Sequence, residues 1–385
     1  MKKYIYFSLL MLLQSVVLAG FINGTMVHQN VTRKYVLYVP DIYNVQQINV
    51  PLLIGLHGFG DDAANFSGIC MSAIADTANY IAVYPEATPD AVLQSNAWNS
   101  GASTGVVVVN NGVDDKGFIN RLMDTIIANY RIDTSRMYVY GFSFGGFMTN
   151  RMAAECSSRF AAAACVSGLR GNSINILPQN PVPYLHFHGT SDPTIGYYGT
   201  STLGFLPGLG MSAESTVKFW AKQNKCDSIP VVDSLPDLAN DGLRFVRFSY
   251  DNGMNNSKTV FYKVINGAHR WYGVPNNDIS YCQTIWEFFR QYQRPSTLTL
   301  VKNLQNAAFK VYPNPSSGQA AIDISAFSES AKILNIYDLA GKLLHSIPVN
   351  KRQMLSLSDL SGGTYVLQLQ GEQGSILATD KLVIQ

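Results

Sequence analysis

The stretch Met137-Tyr-Val-Tyr-Gly-Phe-Ser-Phe-Gly-Gly146 decides the fold. Its opening residues are apolar or aromatic and read as a buried strand. The chain then turns at Gly141-Phe142-Ser143-Phe144-Gly145, and a helix-like run follows from Phe147 to about Glu155. A G-x-S-x-G turn set between a strand and a helix is a nucleophile elbow. A strand can reverse into a helix within so few residues only if the flanking positions lack side chains. The serine at the tip is thereby forced out of the fold above a helix N-terminus, where the backbone N–H of Phe144 can face an oxyanion. A plain Gly/Ser turn is the simpler reading, but it leaves the strand before and the helix after unexplained.

Upstream of the elbow, Thr32 to Val39 alternates as a strand. Pro51-Leu-Leu-Ile-Gly-Leu-His57 is a continuous apolar run, as in buried parallel strands. Ile69 to Asn79 is a helix candidate, and Tyr80-Ile-Ala-Val-Tyr84 is a strand stopped by Pro85. A Gly/Ser/Asn-rich loop covers about 87–112. Asp114-Asp115 opens a helix whose apolar residues Phe118, Leu122, Ile126 and Tyr130 recur at helical spacing. Two aspartates suit a helix N-terminus, and that role is preferred here to a catalytic or metal-binding one. Downstream, strands are expected at 161–166 and 184–188, a helix at 212–224, a variable loop, a strand at 259–264 and a closing helix at 278–292. Strands alternating with helices through right-handed crossovers predict an α/β fold with a doubly wound, mainly parallel sheet.

A serine nucleophile needs a base and an acid, in the order serine, acid, histidine, each at the carboxyl end of a strand. Asp192 follows the strand that ends at His188-Gly189, and His269 follows the strand that ends near Val264. Of the six histidines, His28 precedes the core, His57 precedes the elbow, His345 lies near the C-terminus, and His186 and His188 fall within a strand. His269 is therefore the expected base and Asp192 its orienting acid. A turn or cap aspartate before Pro193 is the bland alternative for Asp192, and Asp227, Asp233 and Asp251 are weaker candidates. In these roles His269 takes the Ser143 proton as Oγ attacks an acyl carbon, and Asp192 stabilises the imidazolium. The oxyanion donors expected are the N–H groups of Phe144 and of Phe59, which follows His57-Gly58. Trp98 and Trp271 are candidates to line the acyl or sugar pocket, with core packing the alternative for Trp98.

Composition bounds the rest. The 385 residues carry a net charge of +2 with 14% charged residues, and no basic run lies beyond the N-terminus. Neither nucleic acid nor an acidic polymer is expected as a partner. Lys2-Lys3, the apolar run Tyr4 to Leu13 and Val17-Leu18-Ala19 read as a secretory signal peptide over 1–20. The run is too short for a transmembrane span, and Phe21 stands where a lipoprotein would need cysteine. The five cysteines, Cys70, Cys156, Cys165, Cys226 and Cys282, form no C-x-x-C pair, so no zinc or other metal is expected. One or two disulfides are compatible with export, and the pairing is open.

The texture changes after the closing helix. Residues 21–293 are expected as the α/β domain, 294–307 as a polar linker, and 308–385 as a small β-sandwich. In the last, short alternating strands at 320–324, 332–337, 342–347, 364–370 and 378–384 are separated by Gly, Asn, Asp and Ser turns.

Taken together, His57-Gly-Phe-Gly60, Ala97-Trp-Asn99, Val113-Asp-Asp115, Gly141-Phe-Ser-Phe-Gly-Gly146, His188-Gly-Thr-Ser-Asp192 and Ile265-Asn-Gly-Ala-His269 resemble the polyhydroxybutyrate depolymerase/feruloyl esterase family of secreted α/β-hydrolases. The resemblance covers roughly residues 25–292. It implies a cofactor-free carboxylic ester hydrolase with Ser143 as nucleophile, Asp192 as acid and His269 as base. Its substrates would be feruloyl or acetyl esters on plant-wall polysaccharide, or a polyester. The family often has Gly-Gly-His-Thr-Trp-Pro-Gly at the histidine, whereas this chain has Gly267-Ala-His-Arg-Trp-Tyr-Gly273. The family would also place a partner for Cys226 near Asp251-Asn252, where this chain has no cysteine.

The C-terminal blocks Val311-Tyr-Pro-Asn-Pro-Ser-Ser-Gly318, Ile336-Tyr-Asp-Leu-Ala-Gly-Lys342, Leu360-Ser-Gly-Gly-Thr-Tyr365 and Lys381-Leu-Val-Ile-Gln385 resemble the type IX secretion sorting domain. That implies an extracellular or cell-surface protein and the type IX machinery as partner. A carbohydrate-binding sandwich would want exposed aromatics, and this segment has no Trp. Two other classes remain open on sequence: a serine peptidase of prolyl-oligopeptidase type and a non-catalytic binding module on a hydrolase fold.

Overall fold

The computed structural model describes residues 19–104, 108–199, 208–294, 309–327, 331–338, 343–349, 352–371 and 376–385. Nearly all of the expected signal peptide, and the linker beyond Arg294, lie outside these residues. The chain divides into two compact units after Arg294.

In the first unit the strands are β1 Gly20–His28, β2 Val31–Val39, β3 Val50–Leu56, β4 Ile81–Pro85, the short pair β5 Thr88–Pro89 and β6 Asn96–Ala97, β7 Ile132–Phe142, β8 Ala162–Val166, β9 Tyr184–Gly189, β10 Val231–Ser234, β11 Arg244–Tyr250 and β12 Thr259–Ile265. The helices are α1 Asp41–Val45, α2 Ala63–Ser67, α3 Met71–Ala78, α4 Asp115–Asn129, α5 Phe144–Glu155, α6 Ala213–Gln223 and α7 Tyr281–Phe289. One sheet runs in the order β1-β2-β4-β3-β7-β8-β9-β12-β11-β10. Its six central strands, β4 to β12 in that order, are mutually parallel. Antiparallel hairpins β1-β2 and β10-β11 extend it at either edge. This is the α/β-hydrolase arrangement.

The parallel strands are apolar on both faces because helices cover both. Leu52, Ile54 and Leu56 of β3 pack with Phe118 and Leu122 of α4, Phe147 and Met148 of α5 and Trp220 of α6. Leu53, pointing the other way, packs with Phe66 of α2, Met71 of α3 and Ile285 and Phe289 of α7. The helix at 114–115 starts as its composition requires: Asp114 caps α4 by accepting from Gly117 N. Asp115 is fully buried and paired with Arg33 of β2 at 2.6 Å, and its second oxygen accepts from Asn99 N at 2.7 Å. The motifs at 97–99 and 113–115 thus meet at one buried carboxylate, which Arg33 neutralises.

One expectation is corrected. Residues 227–256 were read as a variable loop, but β10 and β11 lie there and continue the sheet. Arg244-Phe-Val-Arg-Phe-Ser-Tyr250 pairs along its whole length with β12, which offers an otherwise bare edge.

Cys70 and Cys282 form a disulfide that joins the start of α3 to α7 across 212 residues. Closing so long a loop in the unfolded chain is worth roughly 2–5 kcal/mol. Cys156, Cys165 and Cys226 are free thiols. A Cβ added to Gly253 would lie 2.8 Å from the Cys226 sulfur, so glycine stands directly beside that thiol.

The second unit holds two antiparallel sheets around one apolar core. Strands β13 Lys310–Tyr312, β14 Gln319–Asp323 and β17 Arg352–Ser356 form one sheet. Strands β15 Ala331–Tyr337, β16 Leu343–Pro348, β18 Gly363–Gly371 and β19 Ile376–Ile384 form the other. Ala320, Ile322 and Leu355 from the first meet Leu334, Ile336, Leu367 and Leu382 from the second. Among the described residues no helix is long and apolar enough to cross a membrane.

Candidate active site

Ser143 stands at the junction of β7 and α5 with φ 55° and ψ −120°. A non-glycine residue there is strained by about 1–3 kcal/mol and persists only where its surroundings impose it. The surroundings do so. Ser143 N extends the β7–β8 ladder to Val166 O at 2.8 Å, while Ser143 O already accepts from Gly146 N at 2.9 Å. A Cβ at Gly145 would collide with the carbonyl oxygens of Leu56 and His57, and one at Gly141 with the carbonyl of Gly145. The glycines of the elbow are required for close approach of α5 to β3, which is what lets the helix start immediately under the serine.

The turn after β9 carries Asp192, the expected acid. Asp192 Oδ1 accepts from Thr194 N at 2.9 Å and Ile195 N at 2.8 Å. Its other oxygen, Oδ2, lies 2.7 Å from His269 Nδ1. The carboxylate can only accept, so Nδ1 carries the proton and Nε2 is left as the basic nitrogen. The Asp192 side chain is fully buried, while that of His269 is 14% exposed. The ring of Phe142, next to the serine, packs against the His269 ring at 4.8 Å between centroids. Among the described residues no protein group hydrogen-bonds Ser143 Oγ or His269 Nε2.

The other candidates for acid and base are committed elsewhere. Asp233 pairs with Arg247 and Asp251 with Lys258, and Asp227 accepts from Asn252. His57 Nδ1 donates to Gly58 O at 2.7 Å and its Nε2 accepts from Ala87 N at 3.0 Å. Both nitrogens are used, the ring is buried, and burial pushes its pKa down. His57 is a neutral structural imidazole.

That latch shapes the loop expected to hold the oxyanion. A Cβ on Gly58 would lie 3.3 Å from Ser143 Cβ, so the loop 57–59 runs directly against the serine. The Phe59 and Phe144 rings meet edge-on at 6.1 Å. Neither the Phe59 nor the Phe144 N–H donates to another protein group among the described residues, which leaves both available.

Trp98 requires a correction. It was expected to line the substrate pocket, but it is fully buried. Its indole N–H donates to His57 O at 2.9 Å, so it braces the 57–59 loop from behind. Trp271 is half-buried, with its ring beside Phe142 at 6.2 Å and Phe66 at 6.2 Å. The hydroxyl of Tyr272 accepts from Ala268 N at 2.7 Å and closes the turn that carries His269. No local pattern announces such a contact.

An acidic cluster of Asp237, Asp241 and Asp278 lies at the surface. Its oxygens already accept from Leu238 N, Ala239 N, Asn240 N and Leu243 N, so it braces the loops that carry it.

Comparison with known proteins adds partial matches. Residues 33–175 match the family described as esterase PHB depolymerase, and residues 310–385 match the secretion system C-terminal sorting domain. The chain is 32% identical over 160 residues to a bifunctional acetylxylan esterase/xylanase of Neocallimastix patriciarum, covering 41% of this chain and 21% of that protein. It is 35% identical over 133 residues to feruloyl esterase B of Neurospora crassa, covering 34% and 42% respectively. It is 35% identical over 120 residues to poly(3-hydroxyalkanoate) depolymerase C of Paucimonas lemoignei, covering 31% and 28%. The matches span less than half the length of each of these relatives. The first unit is thus similar to the PHB depolymerase esterases over residues 33–175, and the second unit to secretion-system C-terminal sorting domains over residues 310–385.

Proposed function

We propose that the first unit is a serine carboxylic ester hydrolase acting on acyl esters attached to polysaccharide, such as feruloyl or acetyl groups, or on polyhydroxyalkanoate-type polyester. The observation that carries this reading is the Asp192–His269 pair at 2.7 Å, held against the ring of Phe142, the residue that immediately precedes the strained elbow serine. The relatives above, named for acetylxylan esterase, feruloyl esterase and polyester depolymerase activity, support the substrate class.

The chemistry follows from the atoms. His269 Nε2 takes the Ser143 proton as Oγ bonds to the ester carbon, while Asp192 stabilises the imidazolium through Nδ1–H. The carbonyl oxygen becomes an oxyanion met by the N–H groups of Phe144 and Phe59. The intermediate collapses, the C–O bond to the leaving alcohol breaks, and His269 returns the proton to that alcohol. Water then repeats the sequence on the acyl-enzyme, releasing the acid and restoring Ser143. Trp271, Phe59 and Phe142 supply apolar surface beside the acyl group.

We further propose that the sorting domain directs export to the cell surface or medium through the type IX machinery, after a signal peptide at 1–20.

Turnover of methyl ferulate, acetylated xylan and polyhydroxybutyrate by the wild-type chain and by Ser143→Ala tests the reading. Hydrolysis of at least one ester, lost in the variant, is expected. No turnover, or turnover indifferent to the substitution, would overturn it in favour of a peptidase or a binding module.

A further inference from the structure

His188 lies on β9, four residues before Asp192, with no exposed surface. Its Nε2 lies 2.7 Å from Ile195 O. A carbonyl only accepts, so Nε2 carries the proton and donates it. Ile195 is the residue whose own N–H holds Asp192 Oδ1 at 2.8 Å. The same His188 nitrogen is 3.8 Å from Asp192 Oδ2, the oxygen that faces His269. His188 therefore ties the far end of the turn that orients the acid, and does so from directly beneath the carboxylate.

The surroundings keep this imidazole neutral. Its ring stacks on that of His186 at 5.5 Å and 7°, and meets the edge of Tyr197 at 6.0 Å. Nδ1 is buried and unpartnered. A second proton there would add a buried charge that competes with the His269 imidazolium for Asp192. The ionisable groups around the ring are Asp192, His269, His186 and Tyr197. Burial pushes both His186 and His188 towards the neutral form.

We propose that His188 is a positioning residue for the Asp192–His269 pair: as an Nε2–H donor it holds the 192–195 turn closed, and so sets the direction in which Asp192 Oδ2 meets His269. This rests on the roles given to Asp192 and His269 above.

His188→Gln and His188→Asn test it. The two amides are similarly polar and equally foreign to the buried site, but only glutamine reaches as far as Nε2. Displacing a catalytic group by about 1 Å can cost roughly 100-fold. His188→Asn is expected to lower kcat by about 10- to 100-fold with KM within about twofold, while His188→Gln stays within about threefold of wild type. In His188→Asn the acid limb of the kcat/KM profile should move to lower pH, because a loosened Asp192 stabilises the imidazolium less. The downfield proton resonance of His269 Nδ1–H should weaken or shift in His188→Asn and persist in His188→Gln. Equal behaviour of the two variants, or a lowered Tm with kcat, pH limb and resonance all unchanged, would overturn the proposal. The resonance needs no substrate, so it decides the matter even if the wild-type chain turns over no ester.

Discussion

The indole nitrogen of Trp98 donates to the carbonyl oxygen of His57 at 2.9 Å. The two rings also lie 5.0 Å apart. This bond fixes the peptide from which the 57–59 loop departs, and Gly58 of that loop lies against Ser143. Trp98 thereby gives the Phe59 N–H its direction from behind the loop.

Trp98→Phe should keep most of the packing and remove the donor. It leaves a buried carbonyl unpaired, at about 1–3 kcal/mol of stability. If the loop holds the oxyanion, kcat should fall by about 10-fold or more with little change in KM. Steady-state kinetics with a thermal melt checks this, and an unchanged kcat would remove Phe59 from the oxyanion role.

Arg33 and Asp115 form an ion pair with side chains 2% and 0% exposed. Removing one partner strands the other charge in the core. Arg33→Met should therefore destabilise by about 3–5 kcal/mol, seen as a shift in the urea midpoint. Activity per folded molecule should be retained, because neither group touches the serine, acid or histidine.

Much of this architecture was legible in the sequence because it is local. The elbow, the continuous apolar strands and the Asp114 cap each announce themselves within a few residues. Asp192 and His269, which the structure brings within 2.7 Å of each other, could be paired because strand ends and chain order constrain them. Trp98 was left between pocket and core because an aromatic beside a motif looks the same whether it faces solvent or braces the motif from behind. Only the distant partner, His57 O, tells the two apart. The disulfide of Cys70 with Cys282, the clasp of Tyr272 on Ala268 N and the ion pair of Arg33 with Asp115 are likewise long-range or cross-turn contacts with no periodicity to betray them. The strand at 244–250 lacks a clean alternation and was hidden by the Asn- and Gly-rich turns on either side.

His57, His186 and His188 are all buried with pKa values pushed down by desolvation. The unfolded chain therefore binds protons, below an ordinary histidine value of about 6.5, that the folded state refuses. Stability from this source is fully present above about pH 6.5 and is lost as the pH falls below it, by up to about 1.4 kcal/mol per pH unit for each histidine. Melts at pH 8, 6.5 and 5.5 should show a small change over the first interval and a steep fall over the second. A flat profile to pH 5.5 would contradict the neutral assignments.

The central claim is that Ser143 is a nucleophile activated by His269. Labelling the chain with a serine-directed fluorophosphonate and mapping the adduct by peptide mass spectrometry tests it most directly. A single adduct on Ser143 is expected, absent in Ser143→Ala and slowed by about 1000-fold or more in His269→Ala. An adduct on another residue, or labelling of Ser143 at an undiminished rate without His269, would contradict the account.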